Sequence, residues 1–406
     1  MTDISQLPLD QINVADPGMF QKDAWRPVFA RLRRDAPVHY CTDSDFGPYW
    51  SVTKYDDIMT VELDHEVYSS EKGIAIGDSN PDEALPSFIS MDPPKHTAQR
   101  KTVAPIVAPT NLRNFEDTIR ERTAFALDAL PLGETIDWVK QISVPLTTMM
   151  LATLFDFPWE DRDKLTFWSD VTIANVNDPD SPVDTAEERM AELHKMGAYF
   201  SELWARKAKA EPSFDLISML AHSRATKDMP FQEFMGNLGL LIVGGNDTTR
   251  NSMTGGVMFL HDNPQENRKL REDPSLIATM VPEIIRHQSP VVHMRRTATR
   301  DADLQGQKIA AGDKVIMWYL SGNMDETAIE EPERFIIDRK KARRHLSYGA
   351  GIHRCVGDRL ADQQLRILWE EILRRKMEIE VVGKPARVYS TFIRGIRSLP
   401  VRVTAG

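Results

Sequence analysis

From Pro230 to Pro264 the chain carries no proline, and apolar residues recur at helical spacing across the whole interval. A helix over 231–263 would be roughly 50 Å long, enough to cross a globule of 406 residues. The other elements must then pack around it. Its middle reads Val243-Gly244-Gly245-Asn246-Asp247-Thr248-Thr249. Glycine in a helix interior costs about 1 kcal/mol relative to alanine, so two in a row call for compensation. One reading is a groove at Gly244 and Gly245 where a small molecule lies against backbone, with the Asp247 carboxyl and Thr248 hydroxyl beside it for proton transfer. The other is a helix break, with Asn246 or Asp247 capping a second helix. This segment alone leaves both open.

Helical spacing also marks 115–130, 142–154, 186–208, 276–287 and 356–376. Short β-like runs occur at 37–40, 49–52, 308–309, 315–318 and 399–403, near turn residues such as Ala311-Gly312-Asp313. The expectation is a mainly α chain with small sheets at its periphery. No Gly/Ser linker, low-complexity tract or repeat interrupts it, so one large domain over 1–406 is the simplest organisation. The polar stretches 77–86 and 177–184 read as surface loops, either able to gate a pocket. A net charge of −10 argues against nucleic acid as a partner. The two cysteines, Cys41 and Cys355, lie far apart, which argues against a disulfide framework and fits a cytoplasmic setting. The N-terminus is polar and acidic, and the longest nearly apolar run, 238–245, is too short to span a bilayer. Neither a signal peptide nor a membrane anchor is expected.

The run Ser347-Tyr348-Gly349-Ala350-Gly351-Ile352-His353-Arg354-Cys355-Val356-Gly357 sets one cysteine in a glycine-rich loop leading into the helix of 356–376. Unpaired N–H groups at a helix start favour a thiolate there. Gly351 and Gly357 let the backbone approach a bulky flat ligand. A nucleophile, a redox sensor, a metal ligand and an inert buried thiol all remain possible identities for Cys355.

Two further signals are weaker singly. Glu283 and Arg286 form an i,i+3 pair that is either a solvated ion pair or, given Val281, Ile284 and Ile285 around it, a buried one with Arg334 as third member. His96 and Arg100 follow Asp92-Pro93-Pro94 at i,i+4 spacing, which puts both on one face toward a common anion. Alone, His96 reads as structural or merely surface.

In this order and at these separations, the signals resemble the cytochrome P450 superfamily of haem-thiolate monooxygenases. The family pattern Phe-x-x-Gly-x-x-x-Cys-x-Gly is matched by Tyr348, Gly351, Cys355 and Gly357, with tyrosine in place of phenylalanine. The resemblance implies a mainly α P450 fold and haem b (iron protoporphyrin IX), with Cys355 as the axial thiolate on iron. It implies that His96, Arg100, Arg296 and His353 hold the haem propionates, and that Tyr348 and Gly349 flank the cofactor. Gly244 and Gly245 match the oxygen-activation groove, Asp247 and Thr248 its proton relay. Glu283, Arg286 and Arg334 match the structural triad beneath the cysteine loop. The tyrosine adds a hydroxyl near the proximal sulfur.

The wording around Gly244 and Cys355, and Leu365-Arg366-Ile367-Leu368-Trp369-Glu370-Glu371, is similar to the soluble bacterial alkane and fatty-acid terminal hydroxylases. That resemblance implies a substrate lining of Ile74, Ile76, Leu240, Val243, Gly244, Val292, Met294, Phe392 and Ile393, nearly all apolar as a hydrocarbon chain needs. Terpene, steroid or macrolide oxidation is the alternative activity, and a haem-thiolate sensor the non-enzymatic one. No Gly-x-Gly-x-x-Gly motif appears, so electrons come from outside. The resemblance implies a ferredoxin, reduced by an NAD(P)H-dependent ferredoxin reductase. The basic run Arg339, Lys340, Lys341, Arg343 and Arg344 is either its docking patch or a solvated loop.

Overall fold

The proline-free interval forms a single unbroken helix, Phe231–Asp262, in a computed structural model that describes residues 7–78 and 84–406. Asn246 and Asp247 lie inside this central helix and cap nothing. Its first half packs Phe234, Leu238 and Ile242 against Leu151, Trp168 and Phe200, which come from helices Val144–Phe155, Asp163–Ile173 and Ala186–Lys207. Its second half packs Met253, Val257 and Phe259 against Met280, Ile284, Leu365 and Leu368, from helices Ile277–Gln288 and Asp358–Arg374. Each such side chain, fully buried, contributes roughly 1.5–3 kcal/mol, which is what keeps a glycine-interrupted helix continuous.

The expected helices appear with shifted ends. The stretch 115–130 starts earlier, as Pro109–Asp128. In 142–154 the α-helix begins at Val144, because Pro145 has no N–H to extend the ladder backward, and the preceding turn Val139–Ser143 widens to π geometry. The helix after the cysteine begins only at Asp358.

The larger sheet runs Val38–Cys41, Tyr49–Val52, Lys314–Met317, Met294–Ala298, Tyr68–Ser69. Val315 stands opposite Trp50 in parallel pairing and opposite Arg296 in antiparallel pairing. A second sheet joins Thr135–Asp137, Pro400–Ala405 and Met377–Val381. The loop at 177–184 is anchored: Asp178 is buried and pairs with Arg397 at 2.7 Å. In the loop at 77–86, residues 79–83 lie outside the described residues. Among the described residues no helix is long and apolar enough to cross a membrane.

Candidate active site

Cys355 sits in the turn just ahead of helix Asp358–Arg374. Gly349 and Gly351 adopt left-handed φ values of 63° and 61°, and a Cβ on Gly351 would stand 2.4 Å from the Glu62 carbonyl oxygen. Only glycine folds the loop this closely onto helix Tyr55–Leu63. Gly357 has an ordinary φ of −95° and nothing within 4 Å of its missing Cβ, so it supplies clearance. Cys355 N–H donates to the Tyr348 carbonyl at 2.8 Å. The Tyr348 hydroxyl lies 2.8 Å from Asp362 Oδ1 and 3.2 Å from the Asp358 carbonyl. The added oxygen therefore ties the loop to the following helix.

Cys355 keeps accessible surface although it lies deep in the interior, so its sulfur borders an internal space. Burial pushes its thiol up to about 11, against the Gly357 N–H and the Arg100 and Arg354 charges. In the protein alone, desolvation outweighs these donors. A bound metal cation is what converts such a thiol to thiolate, releasing its proton.

The donors expected around an anion are brought together. His96 and His353 touch edge to face with ring centroids 4.4 Å apart. His96 is 2% exposed, yet neither ring nitrogen has a partner, and His353 Nδ1 has none either. His353 Nε2 meets Ser70 Oγ at 3.1 Å. Arg100, one turn along helix Lys95–Val103, donates to the Arg354 carbonyl. Arg296, on strand Met294–Ala298, donates to Glu62 Oε2 at 2.8 Å, while the Tyr319 hydroxyl donates to Glu62 Oε1. Burial, then the charges of Arg296, His96 and Arg100, hold His353 down to about 2. Burial and Arg100 lower His96. His65 lies within electrostatic reach of the same cluster, and Glu62 holds Arg296 in place. Sequence reasoning missed both, because neither belongs to a motif.

On the central helix, the two glycines serve different purposes. Gly244 is exposed between buried Ile242 and Asn246, and nothing lies within 4 Å of its missing Cβ. A Cβ on Gly245 would stand 2.7 Å from Leu151 Cδ2, so Gly245 admits close helix packing. Thr248 Oγ donates to the Gly244 carbonyl at 2.9 Å. Ile242 and Leu360, the latter in the first turn of the helix after Cys355, belong to one hydrophobic cluster. Asp247 is fully buried and accepts from Ser169 Oγ at 2.5 Å and from Arg250. Arg250 also reaches Asp170 Oδ1 at 2.5 Å, and the Asp170 side chain is partly exposed. Burial pushes the Asp247 carboxyl up, opposed by Arg250. This polar chain to the surface, from Asp247 through Arg250 to Asp170, was not visible in the sequence.

The triad is corrected in one member. Glu283 and Arg286 are fully buried and bidentate, at 2.8 Å for both contacts. The third member is Arg339, whose Nε and Nη2 donate to Glu283 at 3.0 and 3.2 Å. Arg334 instead points outward to Glu331, contributing only its carbonyl to Arg286 and Arg339. The basic run is reduced accordingly: Arg339 is internal, Arg343 pairs with Asp362 at 2.9 Å, and Arg344 lies over the Tyr55 ring.

Of the expected substrate lining, Ile74, Leu240, Val243, Met294 and Phe392 keep accessible surface. Ile76, Val292 and Ile393 are instead buried, at 1%, 0% and 2% exposed. Ile76 and Val292 pack with Phe20 and Trp318 in the hydrophobic cluster behind the wall.

These residues fit an iron porphyrin: a lone sulfur on an internal space, glycine clearance beside it, and unpartnered imidazoles among arginines suited to two carboxylates. Among the described residues no group of three or more His, Cys, Asp or Glu forms a metal site.

A family profile described as Cytochrome P450 matches residues 184–389. Linalool 8-monooxygenase of Pseudomonas putida is 36% identical across 97% of this chain and 99% of its own length. The methyl-branched lipid omega-hydroxylase of Mycobacterium bovis is 32% identical across 98% and 97%. The solved structure of cytochrome P450-153 from Novosphingobium aromaticivorans matches with a TM-score of 0.90 at 47% identity, covering 96% of this chain and 99% of that one.

Proposed function

The chain belongs to the cytochrome P450 family of haem-dependent monooxygenases, and we propose that it hydroxylates the terminal methyl of medium-chain alkanes or fatty acids. Haem b, when bound, supplies the dioxygen-activating chemistry. We propose that Cys355 would hold its iron through a thiolate, and that His96, Arg100, His353 and the Glu62-braced Arg296 would donate to its carboxylates. Glu283, Arg286 and Arg339 hold the backbone ahead of the cysteine loop in register. Asp247, whose carboxyl burial raises, holds a proton more readily than a surface carboxylate. The Thr248 hydroxyl donates its proton to the Gly244 carbonyl and so presents an acceptor oxygen at the glycine turn, able to take up and pass on a proton. The whole of 1–406 then works as one catalytic domain.

The observation that carries the substrate reading is the uniform apolarity of Ile74, Leu240, Val243, Met294 and Phe392, the lining candidates that keep accessible surface. The lipid omega-hydroxylase relative supports the terminal position. The identity with linalool 8-monooxygenase favours a second reading, oxidation of a terpene alcohol. A sensor has no need of the buried Asp247 and its polar chain. Spin-shift titration of the haem-loaded protein with octanoic, dodecanoic and hexadecanoic acids, with linalool alongside, tests the choice. The largest shift is expected with a linear acid. A response to linalool alone would favour the terpene reading.

Redox partners must deliver the electrons. We propose a ferredoxin, fed by an NAD(P)H-dependent reductase, docking at Lys340, Lys341 and Arg343. Arg343 lies beside the first turns of the cysteine helix through its bond to Asp362. Reversing these charges should weaken ferredoxin-supported turnover and its salt dependence. We place the protein in the cytoplasm, where a reduced Cys355 persists.

A further inference from the structure

Residues 290–295 run between two separate stretches of chain. On one side, Val292 N–H donates to the Phe392 carbonyl at 2.8 Å and Arg394 N–H to the Pro290 carbonyl at 2.9 Å. On the other, Arg295 N–H donates to the Ile74 carbonyl at 2.7 Å. The His293 side chain joins both stretches. Ile76 N–H donates to its Nε2 at 3.0 Å, and its Nδ1 lies 2.9 Å from the Thr391 carbonyl. Acceptance at Nε2 fixes the proton on Nδ1, so one neutral tautomer uses both nitrogens. The ring is 0% exposed and sits against Trp318 and Phe392, with centroids 5.0 and 5.5 Å away.

We propose that His293 is a positioning residue for substrate: beside the backbone bonds of Val292, Arg394 and Arg295, its side chain adds a direct tie between the Ile74–Ile76 wall and the Thr391–Ile393 wall and so tightens the spacing of Ile74 and Phe392. The proposal rests on the reading of those two residues as pocket lining. Imidazole suits this role because its two nitrogens, at a fixed separation in one rigid plane, accept from one stretch and donate to the other. Phenylalanine keeps the ring and its packing but loses both bonds. Asparagine keeps a donor near the Nδ1 position and loses the acceptor at Nε2.

The test uses the full haem-loaded chain as wild type, His293→Phe and His293→Asn. Amide hydrogen exchange is read at 74–78 and 391–394, and the ratio of terminal to subterminal alcohol is read from dodecanoic acid. In His293→Phe, exchange should rise about tenfold in both stretches, as loss of roughly one hydrogen bond each implies. The terminal preference should fall severalfold and KM rise, with kcat nearly unchanged. In His293→Asn, only 74–78 should loosen, and this variant decides the matter if His293→Phe loads no haem. Unchanged exchange in both variants, or loosening with an unchanged product ratio, overturns the proposal. If the wild type takes neither dodecanoic acid nor linalool, the substrate reading fails separately, and exchange alone decides whether His293 joins the two stretches.

Discussion

Replacing Arg339 with alanine should destabilise the protein far more than replacing Arg334, although the two lie in one loop. Arg339 Nε and Nη2 bond the fully buried Glu283 at 3.0 and 3.2 Å, and Nη2 also reaches the Arg334 carbonyl at 3.0 Å. Its loss leaves Glu283 with half of its guanidinium partners. Opening a buried ion pair costs about 3–5 kcal/mol, and the retained Arg286 argues for the lower end, about 3 kcal/mol. With unfolding entropy near 2.1 cal/mol/K per residue, a chain of 406 residues converts that to a fall in Tm of about 4 °C. Arg334 pairs with Glu331 at the surface, where both side chains are more than half exposed, and its alanine variant should leave Tm unchanged. Arg339→Lys should recover only part of the loss, since an ammonium cannot bond both carboxylate oxygens in the same fork. Calorimetry of the haem-loaded variants, with haem retention measured beside it, supplies the comparison. Equal losses for Arg334→Ala and Arg339→Ala would refute the assignment of Arg339 as the third triad member.

Thr248→Ala should divert electrons from product to hydrogen peroxide, lowering product formed per NAD(P)H consumed; unchanged coupling would count against the hydroxyl at the glycine turn. Gly244→Ala should raise Tm slightly, because the helix gains about 1 kcal/mol in propensity and the new Cβ meets nothing within 4 Å. The same methyl enters the internal space, so the fatty-acid spin shift should weaken, and a spin shift equal to wild type would place Gly244 elsewhere. Stability should fall as pH drops from about 6.5 toward 4. Burial holds His293 at about 4 and His345 at about 3, so over that window the unfolded chain binds protons that the folded chain refuses. Each group then removes on the order of 1.4 kcal/mol per pH unit, read as a falling guanidinium midpoint; a flat midpoint from pH 6.5 to 5 would contradict it.

Much of the frame was legible because it depends on local chemistry. The central helix follows from the missing prolines, and the cysteine loop from its glycines, two of which take positive φ. What the sequence concealed depends on which residues of an irregular stretch face inward. Arg334 and Arg339 sit five positions apart with no period between them, and only the folded loop turns Arg339 onto Glu283. Ile74 and Ile76 would share a face on a regular strand, yet Ile76 is buried behind the wall while Ile74 keeps surface. Glu62, His65, Asp170 and His293 enter their networks through partners distant in sequence, where no spacing rule applies. The proton affinity of Cys355 in the protein alone is set by desolvation, a property of the folded interior that no motif carries.

The most direct test of the proposed activity is the product profile from dodecanoic acid, turned over by the haem-loaded protein with oxygen, a ferredoxin and its reductase. Gas chromatography with mass spectrometry resolves the positions of hydroxylation. The account predicts the terminal alcohol as the main product, with linalool turned over more slowly. A mixture dominated by subterminal alcohols, or turnover of linalool alone, would contradict it.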